Sequence, residues 1–238
     1  MRGVPGSADT NMGAGDGPLS MVYVIDDDES MRVALVNLLH SIGLDAQAFP
    51  SCREFSIVQR YDVPSCLILD VRLQGETGLA FQDELLKSGI RMPIIFMTGY
   101  GDVTMSVKAM KAGALDFFPK PFREQDMLDA VTDALARDSE RLATARALAG
   151  MRAAYASLKP REQQILGFVT DGLTNKEIAS ELDLSEITVK IHRGQVMRKM
   201  AARSVADLVR MAEALGITSP KGQPAWQAGA AEADFSGE

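Results

Sequence analysis

Four short apolar runs that each end on a polar residue constrain this chain more than any other feature. Cys66-Leu67-Ile68-Leu69 runs into Asp70, and Val22-Tyr23-Val24-Ile25 into Asp26-Asp27. Ile94-Ile95-Phe96-Met97 runs into Thr98, and Leu115-Asp116-Phe117-Phe118 stops just before Lys120. Short apolar runs of this kind read as strands buried on both faces, the pattern of a parallel sheet. Helix-like segments separate them: Glu29 to Ser41 closed by Gly43, a segment opened by Ser51 as N-cap, and about Thr77 to Lys87 ended by Gly89. A fourth is capped by Asp102, with Val103, Val107 and Met110 as its inner stripe and Gly113 at its end, and a fifth starts near Arg123. With Leu44 to Phe49 as a further short strand, the alternation predicts an α/β fold with a five-stranded parallel, doubly wound sheet. Ligands bind such sheets at the carboxyl ends of the strands. Those ends would bring three carboxylates, a hydroxyl and an ammonium into one crevice.

The fifth helix does not stop where a domain should end. From Gln125 to Ala154 there is no proline, and Gly150 is the one glycine, so the spacing predicts a long connector helix. Leu128, Leu135, Leu142 and Ala149 stand seven apart, half of a coiled-coil seam, but Asp138 and Arg152 fall at companion positions. Leu158 to Gly216 is all-helical by pattern. Pro160 suits a first turn, with Ile165, Leu166 and Val169 inward. Thr174 caps Asn175 to Leu182, Ser185 caps the next helix with Glu186 in its first turn, and Ser204 to Ala214 presents Val205, Leu208, Val209 and Met211. The expected plan is therefore a disordered leader at 1–20, an α/β domain at 21–137, a helical linker at 138–156, a small helical domain at 157–216 and a disordered tail at 217–238, with Trp226 an exposed bystander.

A net charge of -7 argues against nonspecific coating of nucleic acid, while leaving room for a local basic surface. Cys52 and Cys66 sit in or beside apolar segments and read as buried thiols in a reducing cytosol. No Cys/His cluster points to zinc, and neither a membrane span nor a basic-then-apolar leader is visible. A soluble cytoplasmic protein is expected.

The crevice suits Mg²⁺, which takes hard oxygen ligands and keeps several waters. Asp27 and Asp70 are expected to bind it directly, with the backbone carbonyl of Arg72 as third protein ligand and Asp26 acting mostly through water. Packed carboxylates repel, so the metal is their natural counter-charge. A phosphoryl group could then transfer to Asp70 as an aspartyl phosphate. Lys120 would supply a point charge and Thr98 a hydroxyl donor. Lys120-Pro121, at a strand end, is a place for a cis peptide.

These residues also carry a family resemblance. Asp26-Asp27-Asp28-Glu29, Leu69-Asp70-Val71-Arg72, Met97-Thr98-Gly99 and Asp116-Phe117-Phe118-Pro119-Lys120-Pro121-Phe122 resemble the receiver domain of bacterial response regulators, a flavodoxin-like fold. The resemblance implies phosphorylation of Asp70 by a sensor histidine kinase, movement of Thr98 toward the phosphate and an inward turn of Phe117. It implies a phosphoacceptor that assists its own phosphoryl transfer and dephosphorylation rather than an enzyme with a separate substrate. Gln74 stands where the family often has proline, which suggests a more mobile loop there.

Thr174 to Ala179 followed by Ser185 to His192 has the pattern of a helix-turn-helix. A helical wheel puts Val189, Val196 and Met200 on one side of the second helix and Lys190, Ile191, Gly194 and Arg198 on the other, with Gln195 at the border. A mid-helix glycine costs about 1 kcal/mol against alanine, and close backbone approach to DNA would give it a reason. Thr174 to Met200, with Leu158, Arg161 and Glu162, resembles the LuxR-type DNA-binding domain. The two domains together resemble the FixJ/NarL class of transcriptional regulators, on the FixJ side through Gly101-Asp102-Val103 and Met110-Lys111-Ala112-Gly113-Ala114. The resemblance implies base-edge contacts by Lys190, Ile191 and Gly194, and contacts nearer the backbone by Thr188, His192, Arg193 and Lys199. Arg198, one of the basic residues crowding this helix, suits a phosphate contact by its charge. Promoter DNA, RNA polymerase and a second copy on phosphorylation are the implied partners. Lys159 departs from the Thr the family commonly has as N-cap, which would loosen the start of its helix.

Two rivals can be stated. A phosphatase of the haloacid-dehalogenase type needs a second Asp two residues after the nucleophile, where this chain has Arg72. A regulator whose helical domain binds protein rather than DNA would lack a selected DNA motif.

Overall fold

A computed structural model of the chain describes residues 17–99 and 103–217. Most of the leader and tail, Trp226 and the Asp102 cap lie outside the described residues. The chain divides into two compact units between Leu142 and Ala143.

The first unit runs β1 (Met21–Ile25), α1 (Glu29–Ser41), β2 (Ala46–Phe49), α2 (Cys52–Ile57), β3 (Ser65–Asp70), β4 (Arg72–Leu73), β5 (Glu76–Thr77), α3 (Gly78–Lys87), β6 (Ile94–Thr98), α4 (Val103–Lys111), β7 (Asp116–Pro119) and the first part of α5 (Glu124–Ala156). The five expected strands form one sheet in the order β2-β1-β3-β6-β7, every neighbour parallel. All residues of β1, β3 and β6 are buried, because alternate side chains enter two separate apolar layers. Tyr23, Leu67, Leu69 and Phe96 meet Phe55 and Phe81 on one face. Val24, Ile68, Ile95 and Met97 meet Leu35, Leu39, Met127 and Val131 on the other. Both cysteines are free and buried, and burial pushes both thiols above their ordinary range.

Ser51 caps α2 and Thr77 caps α3, each accepting the amide three residues on. Other features depart from expectation. Arg72–Leu73 and Glu76–Thr77 pair as a small antiparallel hairpin, with Gly75 at φ +86° in its turn, where the departure at Gln74 had suggested a looser loop. On α4, Val107 and Met110 are 45% and 46% exposed. The inner stripe is instead Ala109, with Met105 partly buried, because a small residue at that contact lets the helix lie close to the sheet. Asp138 to Leu142, read as the start of the linker, belong to the first unit: Asp138 is 1% exposed and bonded to Ser65 and Arg141.

The second unit holds the end of α5, α6 (Pro160–Thr170), α7 (Asn175–Leu182), α8 (Glu186–Lys199) and α9 (Val205–Leu215). Ile165, Leu166, Ile178, Val189, Val196, Met200, Leu208 and Ala212 form its core. Val205, expected inside, is exposed at the first position of α9, and Ala212 takes the inner place. Ile217, read as the first residue of the tail, donates its amide to Ala212 and packs against the core, with Gly216 left-handed before it at φ +66°.

Candidate functional site

The sheet register sets the crevice. Ile25 pairs with Leu69, Asp70 with Met97 and Thr98 with Pro119, so the polar ends of β1, β3, β6 and β7 emerge at one edge. Asp26 and Thr98 are fully buried and Asp70 nearly so. Lys120 follows β7, and its amide donates to the Thr98 carbonyl at 2.7 Å. The Lys120-Pro121 bond is cis. The Lys120 ammonium lies 2.5 Å from Asp26 Oδ2 and 2.6 Å from Asp70 Oδ2. Desolvation alone would lower the lysine's pKa, but its bonds to Asp26 and Asp70 outweigh that and hold it above 10.5. Burial pushes the Asp26 carboxyl up from its ordinary value, partly offset by the hydrogen bond from Lys120.

The remaining carboxylate oxygens are also held. The Asp28 amide donates to Asp26 Oδ1 and the Arg72 amide to Asp70 Oδ1, both at 2.9 Å. Arg32 Nη1 donates to the Asp26 carbonyl at 2.8 Å, fixing the β1–α1 turn from a position that apolar spacing cannot reveal. Oxygens of Asp26, Asp27 and Asp70 lie within 4.8 Å of one another, a hard, anionic donor set that fits a divalent cation. Gly78 is a further requirement. An added Cβ there would collide with the Asp70 carbonyl oxygen and lie 3.0 Å from Leu69 Cγ and 3.1 Å from Phe96 Cε1. The signal is a glycine directly after the Thr77 cap, facing the end of β3. Phe117, on β7 opposite Phe96, packs half-buried against the α2–α3 side of the sheet.

The second unit builds a different surface. Thr174 and Glu177 close a reciprocal cap on α7, Asp183 is left-handed at φ 52°, and Ser185 Oγ accepts the Thr188 amide at 3.1 Å to start α8. The wheel holds: Val189, Val196 and Met200 are core, and Lys190, Ile191, Gly194 and Arg198 are exposed. The other expected contacts divide. Thr188 shares its hydroxyl with Ser185 at 2.8 Å, and Arg193 donates to Asn175 Oδ1 at 2.6 Å, tying α8 to α7. His192 is half-buried, with Nδ1 shielded and without a hydrogen-bond partner. Lys199 donates to Glu162 Oε2 at 2.6 Å and to the Ser157 carbonyl at 3.3 Å, so its ammonium serves the fold. Glu162 also accepts the Lys159 amide at 2.8 Å, which starts α6 although Lys159 has no side-chain acceptor. The bond from Lys199 holds the Glu162 carboxyl below its ordinary value.

Among the described residues no helix is long and apolar enough to cross a membrane. Residues 22–132 match the response regulator receiver domain, and residues 156–212 match the bacterial regulatory proteins of the luxR family. The chain is 52% identical over 200 residues to nodulation protein W of Bradyrhizobium diazoefficiens, covering 84% of this chain and 88% of that protein. It is 42% identical over 198 residues to the transcriptional regulatory protein FixJ of Azorhizobium caulinodans, covering 82% and 93%. The solved structure of the response regulator StyR matches with a TM-score of 0.75 at 42% identity, covering 82% of this chain and 98% of that one. Receiver, LuxR-type helices and relatives together place the chain in the FixJ class of two-component response regulators, phosphorylation-dependent DNA-binding regulators of transcription.

Proposed function

We propose that Asp70 is the phosphoacceptor and that Asp26, Asp27, Asp70 and the Arg72 carbonyl hold Mg²⁺. The observation that carries this is the Lys120 ammonium lying between Asp26 and Asp70 at the carboxyl edge of the sheet, with Asp27 completing the acidic set. Bound there, Mg²⁺ would supply positive charge to phosphoryl oxygens. An Asp70 carboxylate oxygen attacks phosphorus on the kinase's phosphohistidine; the P–O bond forms as the P–N bond breaks, and the imidazole leaves. Lys120 then exchanges an Asp70 oxygen for a phosphoryl oxygen, and Thr98 donates its hydroxyl to another. The same crevice admits the water that later hydrolyses the acyl phosphate, so the chain assists its own dephosphorylation.

The switch is read through Thr98 and Phe117 to the α4–α5 face. The exposed Val107 and Met110 on α4 support that face as the surface on which two phosphorylated copies pair. Pairing would present two α8 helices to a two-fold DNA site in the cytoplasm, where the dimer engages RNA polymerase. Lys190, Ile191 and Gly194 face base edges, and Arg198 a phosphate. Thr188, His192 and Arg193 hold the helix or touch the backbone. Lys199, engaged by Glu162, acts by positioning α8.

Phosphate incorporation from acetyl phosphate tests the crevice. Wild type should take up base-labile phosphate only with Mg²⁺, and Asp70→Asn none. Equal incorporation in both would remove Asp70 from this role. Light scattering on the two forms tests pairing, and an unchanged monomer fraction would sever phosphorylation from dimerisation.

A further inference from the structure

Helix α8 carries two large apolar side chains on its solvent face. Ile187 is 73% exposed and Ile191 55%, and they stand four residues apart, so they adjoin on the helix surface. Gly194 continues the line three residues on, and an added Cβ there would meet nothing within 4 Å. Nothing in the unit's packing therefore calls for a glycine, although glycine weakens a helix interior. The exposed Lys190 and Arg198 border the strip. Singly exposed apolar residues are ordinary. A strip of two isoleucines running into a bare backbone, beside two cations, has the chemistry of a surface that meets something both apolar and polyanionic.

We infer that Ile187 and Ile191 read the C5-methyl groups of thymines in the major groove, with Gly194 admitting the helix backbone close to the base edges. This rests on the reading of α8 as the DNA-facing helix and names its specificity determinants. The thymine methyl is the one apolar group on an unmodified major-groove base edge, and apolar side chains pair with it. Lys190 reaches base-edge acceptors beside the methyls, and Arg198 supplies the charge for a flanking phosphate. Ile187 is the new member: it precedes Lys190 and Ile191 by nearly one turn and extends the reading surface toward the N-terminus of the helix. Operators should accordingly carry thymines at neighbouring positions within each half-site, on whichever strand presents its methyl to the strip.

The test uses the full chain phosphorylated with acetyl phosphate. A binding site is selected from random duplexes, and each thymine is then replaced singly by uracil, which removes the methyl alone. Affinity should fall about fourfold at each methyl that is read. Ile187→Ala should abolish the uracil effect at one position and Ile191→Ala at another, both variants keeping the wild-type unfolding midpoint. Uracil replacement that is silent at every position, or equally costly in wild type and both variants, would overturn the inference while leaving DNA binding by α8 intact. So would variants that keep full DNA affinity but fail to dimerise or to engage RNA polymerase, since the strip would then be a protein contact. A wild type that selects no sequence would remove the DNA-facing assignment itself, and the methyl reading with it.

Discussion

The buried carboxylate of Asp138 accepts the Ser65 amide at 2.9 Å through one oxygen, while its other oxygen takes the Arg141 guanidinium at 2.7 Å. Ser65 is the first residue of β3 and Asp70 the last, so α5 is tied to the strand that presents the acceptor. Asp138→Ala leaves the buried Ser65 amide without an acceptor and should cost the first unit about 1–3 kcal/mol. Asp138→Asn keeps an acceptor and should cost less. Urea unfolding followed by hydrogen exchange at β3 amides reads both, and an alanine variant as stable as wild type would show that the bond contributes nothing.

Gly78 bears on Asp70 by a different route. The backbone there passes so close to the Asp70 carbonyl that a methyl cannot fit without moving β3 or α3. Gly78→Ala should therefore destabilise the first unit by about 1–3 kcal/mol, as overpacking does. It should also slow phosphate uptake by displacing the acceptor. Phosphorylation rate and unfolding midpoint, measured on one preparation, should both fall; wild-type values for both would mean that the loop yields freely.

The second unit carries a pH dependence of its own. The Glu162 carboxyl is held below its ordinary 4.5, first by the bond from Lys199 and then by the Lys159 amide. A depressed carboxylate stabilises the fold fully above its unfolded value. That stability is lost as pH falls from about 4.5 through the folded value. Neutral pH should show no change. Acidification should loosen α6 and α8, and Glu162→Gln should start less stable and respond less to acid over that range. Parallel acid profiles for the two proteins, followed by exchange at second-unit amides, would refute this.

Much of the molecule was legible because it is locally encoded. Ser51, Thr77, Thr174, Ser185 and Ser204 announce their helices through bonds to amides three residues away, and the strand ends announce the crevice through apolar runs. What escaped is set at a distance. Asp138 looked like an interruption in a heptad, since its partner Ser65 is 73 residues away in sequence. Lys199 looked like one more cation beside DNA until Glu162 was seen beneath it. Two members of the α4 stripe failed for another reason: over nine residues, the large Val107 and Met110 outvoted the small Ala109 that makes the contact, while the side chain of Val103 lies outside the described residues.

Gly194 separates the needs of the fold from those of DNA. Its surroundings within the unit are open, so Gly194→Ala introduces no clash and should stabilise the second unit by about 1 kcal/mol through helix propensity. If α8 approaches base edges as closely as its bare backbone permits, the same methyl should weaken binding to the selected operator severalfold. Weak binding to unrelated DNA, which rests on phosphate contacts, should be unchanged. Thermal unfolding and titrations against both DNAs give the three values together. A rise in stability with operator affinity untouched would mean that the helix stands off the groove floor at Gly194, and the reading surface would shrink to Ile187, Lys190 and Ile191.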